Sequence, residues 1–112
     1  MCKRIDKNKR GKLVMTFNIG SFNYAIRLSD HAKLRLSQRN IDEYQVMSAI
    51  TALGKDRLEH YSDGTRDIMI QDRTNGFSVV IAIEKCTIYV ITVIDNSDCF
   101  VKSGTTVIKI WL

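Results

Sequence analysis

The sequence predicts an α+β fold in which two N-terminal helices pack on a curved antiparallel β-sheet, with an N-terminal hairpin ahead of them. Three observations lead to it. An N-cap signal at Ser29 or Asp30 and a helical recurrence of Val46, Met47, Ile50 and Leu53 are followed, after Gly54, by the strand period of two. The β-branched runs of the second half are separated by short turn-forming segments, and turns that short join antiparallel neighbours. The 112 residues, 45% apolar and 26% charged, suffice for one hydrophobic core and not for two.

Residues 1–11 are expected to form a flexible basic arm and residues 12–112 a single domain. KLVMTFN and FNYAIRL flank IGS, which predicts a hairpin bent at Gly20. Ser29 or Asp30 is a suitable N-cap for a first helix running to about Gln38, and the Arg39–Asn40 pair before Ile41 ends it. Asp42 opens a second helix over residues 42–53, where Val46, Met47, Ile50 and Leu53 form a core stripe and Gly54 closes it. The period then changes to two. RLEHYS, RDIMIQD, FSVVIAIE, TIYVITVI and TTVIKIW are expected as strands, parted by SDGT, RTNG, EKC and a longer DNSDCFVKSG loop. Ile68, Ile70, Val79, Ile81, Val90 and Ile108 are the expected inner positions.

Composition narrows the function. No run approaches 18 consecutive apolar residues, so no membrane-spanning helix is expected. The basic start MCKRIDKNKRGKL lacks the apolar stretch of a signal peptide, which points to the cytoplasm. Cys2, Cys86 and Cys99 are odd in number and show no metal-ligand spacing, so neither a metal nor another cofactor is expected. Charge is uneven. Residues 1–39 hold ten Lys and Arg against Asp6 and Asp30, a balance of +8, and the remainder hold seven against ten, a balance of −3. An excess gathered at one end favours a polyanionic partner, of which nucleic acid is the commonest; the alternative is a solubilising tail.

The first helix carries the sharpest signal. On a wheel at about 100° per residue, His31, Arg35 and Arg39 fall in the arc between Leu34 and Leu36 that also holds Ala32, while Lys33 and Ser37 occupy the clearly polar sector. Three basic side chains thus share the side expected to touch the rest of the protein. Unpaired buried guanidinium is too costly, so these groups either meet carboxylates or line a wet cleft. Arg forks match phosphate oxygens, and an imidazole moves protons near neutral pH. The competing reading makes His31 structural and pairs Arg35 and Arg39 with Asp42, Glu43 or Asp67.

The run HAKLRLSQRNI resembles the opening motif H-A-x-x-R-[ML]-x-x-R-x-I of a widespread prokaryotic domain of unknown function, matching at His31, Ala32, Arg35, Leu36, Arg39 and Ile41. The later YVITVI strand is similar to the same group, and the resemblance spans roughly residues 28–94. The N-terminal hairpin, the basic arm and the CFVKSGTTVIKIWL end depart from it. That group has been related to the RelE and BrnT type toxin ribonucleases and the barnase and EndoU-like folds. The resemblance therefore implies a small RNA-directed protein of the toxin–antitoxin kind, a metal-independent endoribonuclease with RNA as substrate and a cognate antitoxin or other inhibitor protein as partner.

Metal-free RNA cleavage needs a base, an acid and cations around the phosphorane. His31 is the expected proton shuttle, Arg35 and Arg39 the phosphorane ligands, and Thr92, a hydroxyl among apolar strand neighbours, a group that orients phosphate or substrate. Lys3, Arg4, Lys7, Lys9 and Arg10 in the arm, and Lys109 beside Trp111, are the expected nucleic-acid contacts. For Thr92 and Lys109 the competing readings are an ordinary strand threonine and an edge-strand guard. The alternative for the whole chain is a non-catalytic nucleic-acid-binding or protein-inhibitory module from a mobile genetic element.

Overall fold

The computed structural model describes residues 12–19, 22–62, 67–98 and 104–112. The expected basic arm and the bend at Gly20 lie outside them. The elements are β1 (Lys12–Ile19), β2 (Phe22–Leu28), α1 (Asp30–Arg39), α2 (Glu43–Thr51), α3 (Gly54–His60), β3 (Ile68–Asp72), β4 (Phe77–Glu84), β5 (Thr87–Ile94) and β6 (Thr106–Ile110). The fold is α+β, with one six-stranded sheet in the order β1-β2-β5-β4-β3-β6.

Two parts of the expectation are corrected. The sheet is mixed: β1/β2, β3/β4 and β4/β5 pair antiparallel, but β2/β5 and β3/β6 pair parallel. The short-turn argument holds only where turns are short. β2 reaches β5 after three helices and a hairpin, and β6 reaches β3 through the loop that follows β5; connections of that length allow parallel neighbours. Among the described residues the helices number three, and they lie between the hairpin and β3. RLEHYS is the end of α3 and the turn after it, not a strand, because Lys55, Asp56, Arg57 and Glu59 are helix-compatible residues around a single fully buried side chain, Leu58. One apolar position cannot define a period.

Local chemistry explains the helix ends. Asp42 caps α2 by accepting from Tyr44 N at 3.0 Å, and Gln45 Oε1 accepts from Asp42 N at 2.9 Å, completing a capping box. Asn40 ends α1 in the left-handed conformation, at φ 57°. Gly54, at φ +81°, lets the chain turn from α2 into α3.

Tyr24, Ile26, Leu28, Ile68, Ile70, Val79, Ile81, Val90 and Ile108 face the helices and form one core with Ala32, Leu36, Val46, Ile50 and Leu58. All six inner positions expected from the sequence are buried there. On β5 the register passes from Ile81↔Val90 to Val80↔Thr92, so Ile91 is an extra, bulged residue. Ile91 packs with Ala82 and Tyr89 on the face away from the helices. Among the described residues no helix is long and apolar enough to cross a membrane.

Candidate functional site on the first helix

α1 is placed by its first residues. β2 stops at Leu28, opposite Val90, and the start of α1 takes over its place beside β5. Ser29 N donates to the Val90 carbonyl at 3.2 Å, and Ser29 Oγ donates to the Ile91 carbonyl at 3.1 Å while accepting from Ala32 N at 3.0 Å. One buried hydroxyl thus caps the helix and ties it to the bulge. Ala32 and Leu36 are the buried side of α1, which packs chiefly on β5.

The basic ridge lies along the border of that buried side. His31 is exposed, and Arg35 and Arg39 are half-buried. Arg35 Nε donates to His31 Nε2 at 3.5 Å, and one of its terminal nitrogens donates to Gln38 Oε1 at 3.3 Å. The first contact is at the long limit of a hydrogen bond and is easily given up. Arg39 Nε is buried and has no hydrogen-bond partner among the described residues. Neither arginine forms an ion pair with Asp42 or Glu43; Asp42 spends its side chain on the α2 cap. The cations are therefore not neutralised in the way the competing reading requires. An open hollow of about 490 Å³ adjoins the C-terminal end of the ridge, lined by Leu36, Ser37, Asn40, Ile41 and Asp42. Its lining includes none of the three basic residues.

The remaining expected residues are scattered. Thr92 is half-buried opposite Val80, while its neighbour Val93 and the opposed Val79 join the core, so Thr92 belongs to the face away from the helices. Lys109 is exposed on β6 opposite Gln71; flanked by the core residues Ile108 and Ile110, it shares that second face. The order β5-β4-β3-β6 puts Thr92 and Lys109 three strand spacings apart, about 14 Å. Neither is brought to the ridge. Lys3, Arg4, Lys7, Lys9 and Arg10 lie outside the described residues. His60 is exposed and meets Tyr61 edge-on at 4.6 Å. Near it Ser62 O accepts from Lys85 N, just before β5 begins, whereas Ser29 anchors α1 at Ile91. The two helices are thus tied to different ends of β5, and among the described residues no hydrogen bond joins the His60 ring to His31. Gln38 is a site residue that the charge pattern passed over; its i, i+3 spacing from Arg35 was the available signal.

The family model for a domain of unknown function, DUF4258, matches residues 28–95, more than half of the chain. The chain belongs to the DUF4258 family. The DUF4258 match begins at the last residue of β2 and ends just after β5, so it holds all three helices, β3, β4 and β5, and with them the whole ridge and the Ser29–Ile91 tie. β1 and β6 lie outside it. Compared with curated proteins and with solved structures, the chain finds no match.

Proposed function

We propose that the chain is a small RNA-directed protein, a toxin-like endoribonuclease whose chemistry needs no metal ion, with His31 as proton shuttle and Arg35 and Arg39 as phosphate ligands. One observation carries the reading: Arg35 Nε and His31 Nε2 meet on the border of α1, with no carboxylate paired to either arginine among the described residues. In this reading a phosphodiester draws the Arg35 fork away from His31. Nε2 is then free to take the 2′-hydroxyl proton as that oxygen attacks phosphorus. The bond to the 5′ oxygen breaks, that oxygen takes a proton from the imidazolium or from water, and a 2′,3′-cyclic phosphate and a 5′-hydroxyl result. Arg35 and Arg39 offset the growing negative charge. Thr92, on the other face of the sheet, has no part in it. The relation to RelE and BrnT type toxins, the cognate inhibitor and the cytoplasmic setting belong to the same proposal and rest on the HAKLRLSQRNI motif.

The test is cleavage of RNA by the purified protein in EDTA, read by the appearance of cyclic-phosphate ends. His31→Ala is expected to lower the rate by about 10²–10⁴-fold. Undiminished cleavage in that variant removes His31 from the mechanism. A second reading, a nucleic-acid-binding module without turnover, is favoured by the make-up of α1, which carries a single imidazole, His31, beside its arginines. Salt-dependent RNA binding without cleavage would select it.

A further inference from the structure

The turn between β3 and β4 reads DRTNGF, and its residues Thr74, Asn75 and Gly76 are exposed. An Asn–Gly pair is chemically labile. The glycine nitrogen, on losing its proton, attacks the Asn Cγ; the new C–N bond closes a succinimide, the Cγ–Nδ2 bond breaks, and ammonia leaves with the proton. Water then opens the ring to aspartate or isoaspartate. Glycine favours the reaction because it has no Cβ to hinder the approach and turns freely.

In this protein one residue holds both reacting groups. Asp72 is completely buried. Its Oδ2 accepts from Asn75 Nδ2 at 2.7 Å, its Oδ1 accepts from Thr74 N at 3.1 Å and Asn75 N at 3.0 Å, and its carbonyl accepts from Gly76 N at 2.9 Å. The leaving amide is thus fixed by a charge-assisted bond, and the attacking nitrogen has its proton engaged. We propose that Asn75 is a latent deamidation site that Asp72 keeps closed. The same geometry makes the modification destructive: a carboxylate in place of the Asn75 amide would set a second anion at hydrogen-bond distance from a buried one, and the β3–β4 turn would open. Deamidation of Asn75 therefore follows, and then enforces, local opening of this hairpin.

The experiment follows the conversion of Asn75 by mass spectrometry in mildly alkaline buffer. Conversion in the native chain is expected to be at least about tenfold slower than in a synthetic DRTNGF peptide, as expected where reaction must wait for one strong hydrogen bond to break. Asp72→Asn keeps an oxygen for the Thr74 and Asn75 N–H groups but turns an amide toward Asn75 Nδ2. It is expected to deamidate at residue 75 about tenfold faster than the native chain, with Asn96 as the internal reference. Equal rates in the native chain and the peptide, or in the native chain and a folded Asp72→Asn variant, overturn the proposal. If circular dichroism shows Asp72→Asn to be unfolded, the comparison of native chain with peptide decides alone.

Discussion

The hydroxyl of Ser29 donates to the carbonyl of Ile91, 62 positions further along the chain, and in the same place accepts the third amide of α1. The bulge at Ile91 leaves that carbonyl off the regular ladder, and the helix cap satisfies it. Ser29→Ala would remove the cap and leave a partly buried carbonyl without its side-chain donor. The two losses together should lower unfolding free energy by about 1–3 kcal/mol, measured by urea denaturation. Ser29→Asp restores only the cap, since a carboxylate cannot donate to Ile91, and should not recover full stability. If Ser29→Ala melts like the native chain, the tie contributes nothing.

Much of this arrangement was legible in the sequence, and the unread part has a physical pattern. Signals carried within a few residues read true: the caps at Ser29 and Asp42, the core stripe at Val46 and Ile50, and the alternation of Val79 and Ile81. What escaped depends on residues far apart in the chain. The parallel pairings β2/β5 and β3/β6 join segments more than thirty positions apart, and no local pattern encodes them. The site shows the same division. The His31–Arg35 neighbourhood follows from i, i+4 spacing alone, but the separation of Thr92 from it follows from the bulge at Ile91, which no residue type announces.

α3 is the element that the strand period hid, and it rests on one side chain. Leu58 is fully buried and is the only buried residue of α3. Leu58→Ala should cost about 2–5 kcal/mol, and amide exchange over Gly54–His60 should rise by more than exchange over α2. A uniform rise across both helices would mean that α3 is not a separately held unit.

Arg35 and Arg39 are the phosphate contacts of the proposed reading, and counterion release gives them a signature independent of catalysis. Each of Arg35→Ala and Arg39→Ala should reduce the slope of log binding constant against log salt concentration by about 1, measured by RNA-binding titrations between low and moderate salt. Lys109→Ala, on the other face of the sheet, should leave the slope unchanged. A loss of slope at Lys109 with none at Arg35 or Arg39 would move the nucleic-acid surface to the opposite side of the molecule.

Tyr24 links the hairpin to the alkaline limit of stability. Its ring is buried, stacks on Phe17 at 5.5 Å, and lies in the main core. Burial pushes the phenol above its usual value, and the nearby Cys86 thiol and Glu59 carboxylate, once charged, push it in the same direction. The unfolded chain releases this proton near pH 10, whereas the folded chain retains it to higher pH. Below the unfolded value both states are protonated and the tyrosine contributes no pH dependence. Above it the unfolded state binds fewer protons than the folded one needs, so stability falls as pH rises toward the folded value. Tyr24→Phe removes the titrating group and keeps the ring, and its loss of melting temperature between pH 9 and 11 should be smaller than that of the native chain. Parallel curves for the two proteins across that window would show that alkaline unfolding is driven from elsewhere.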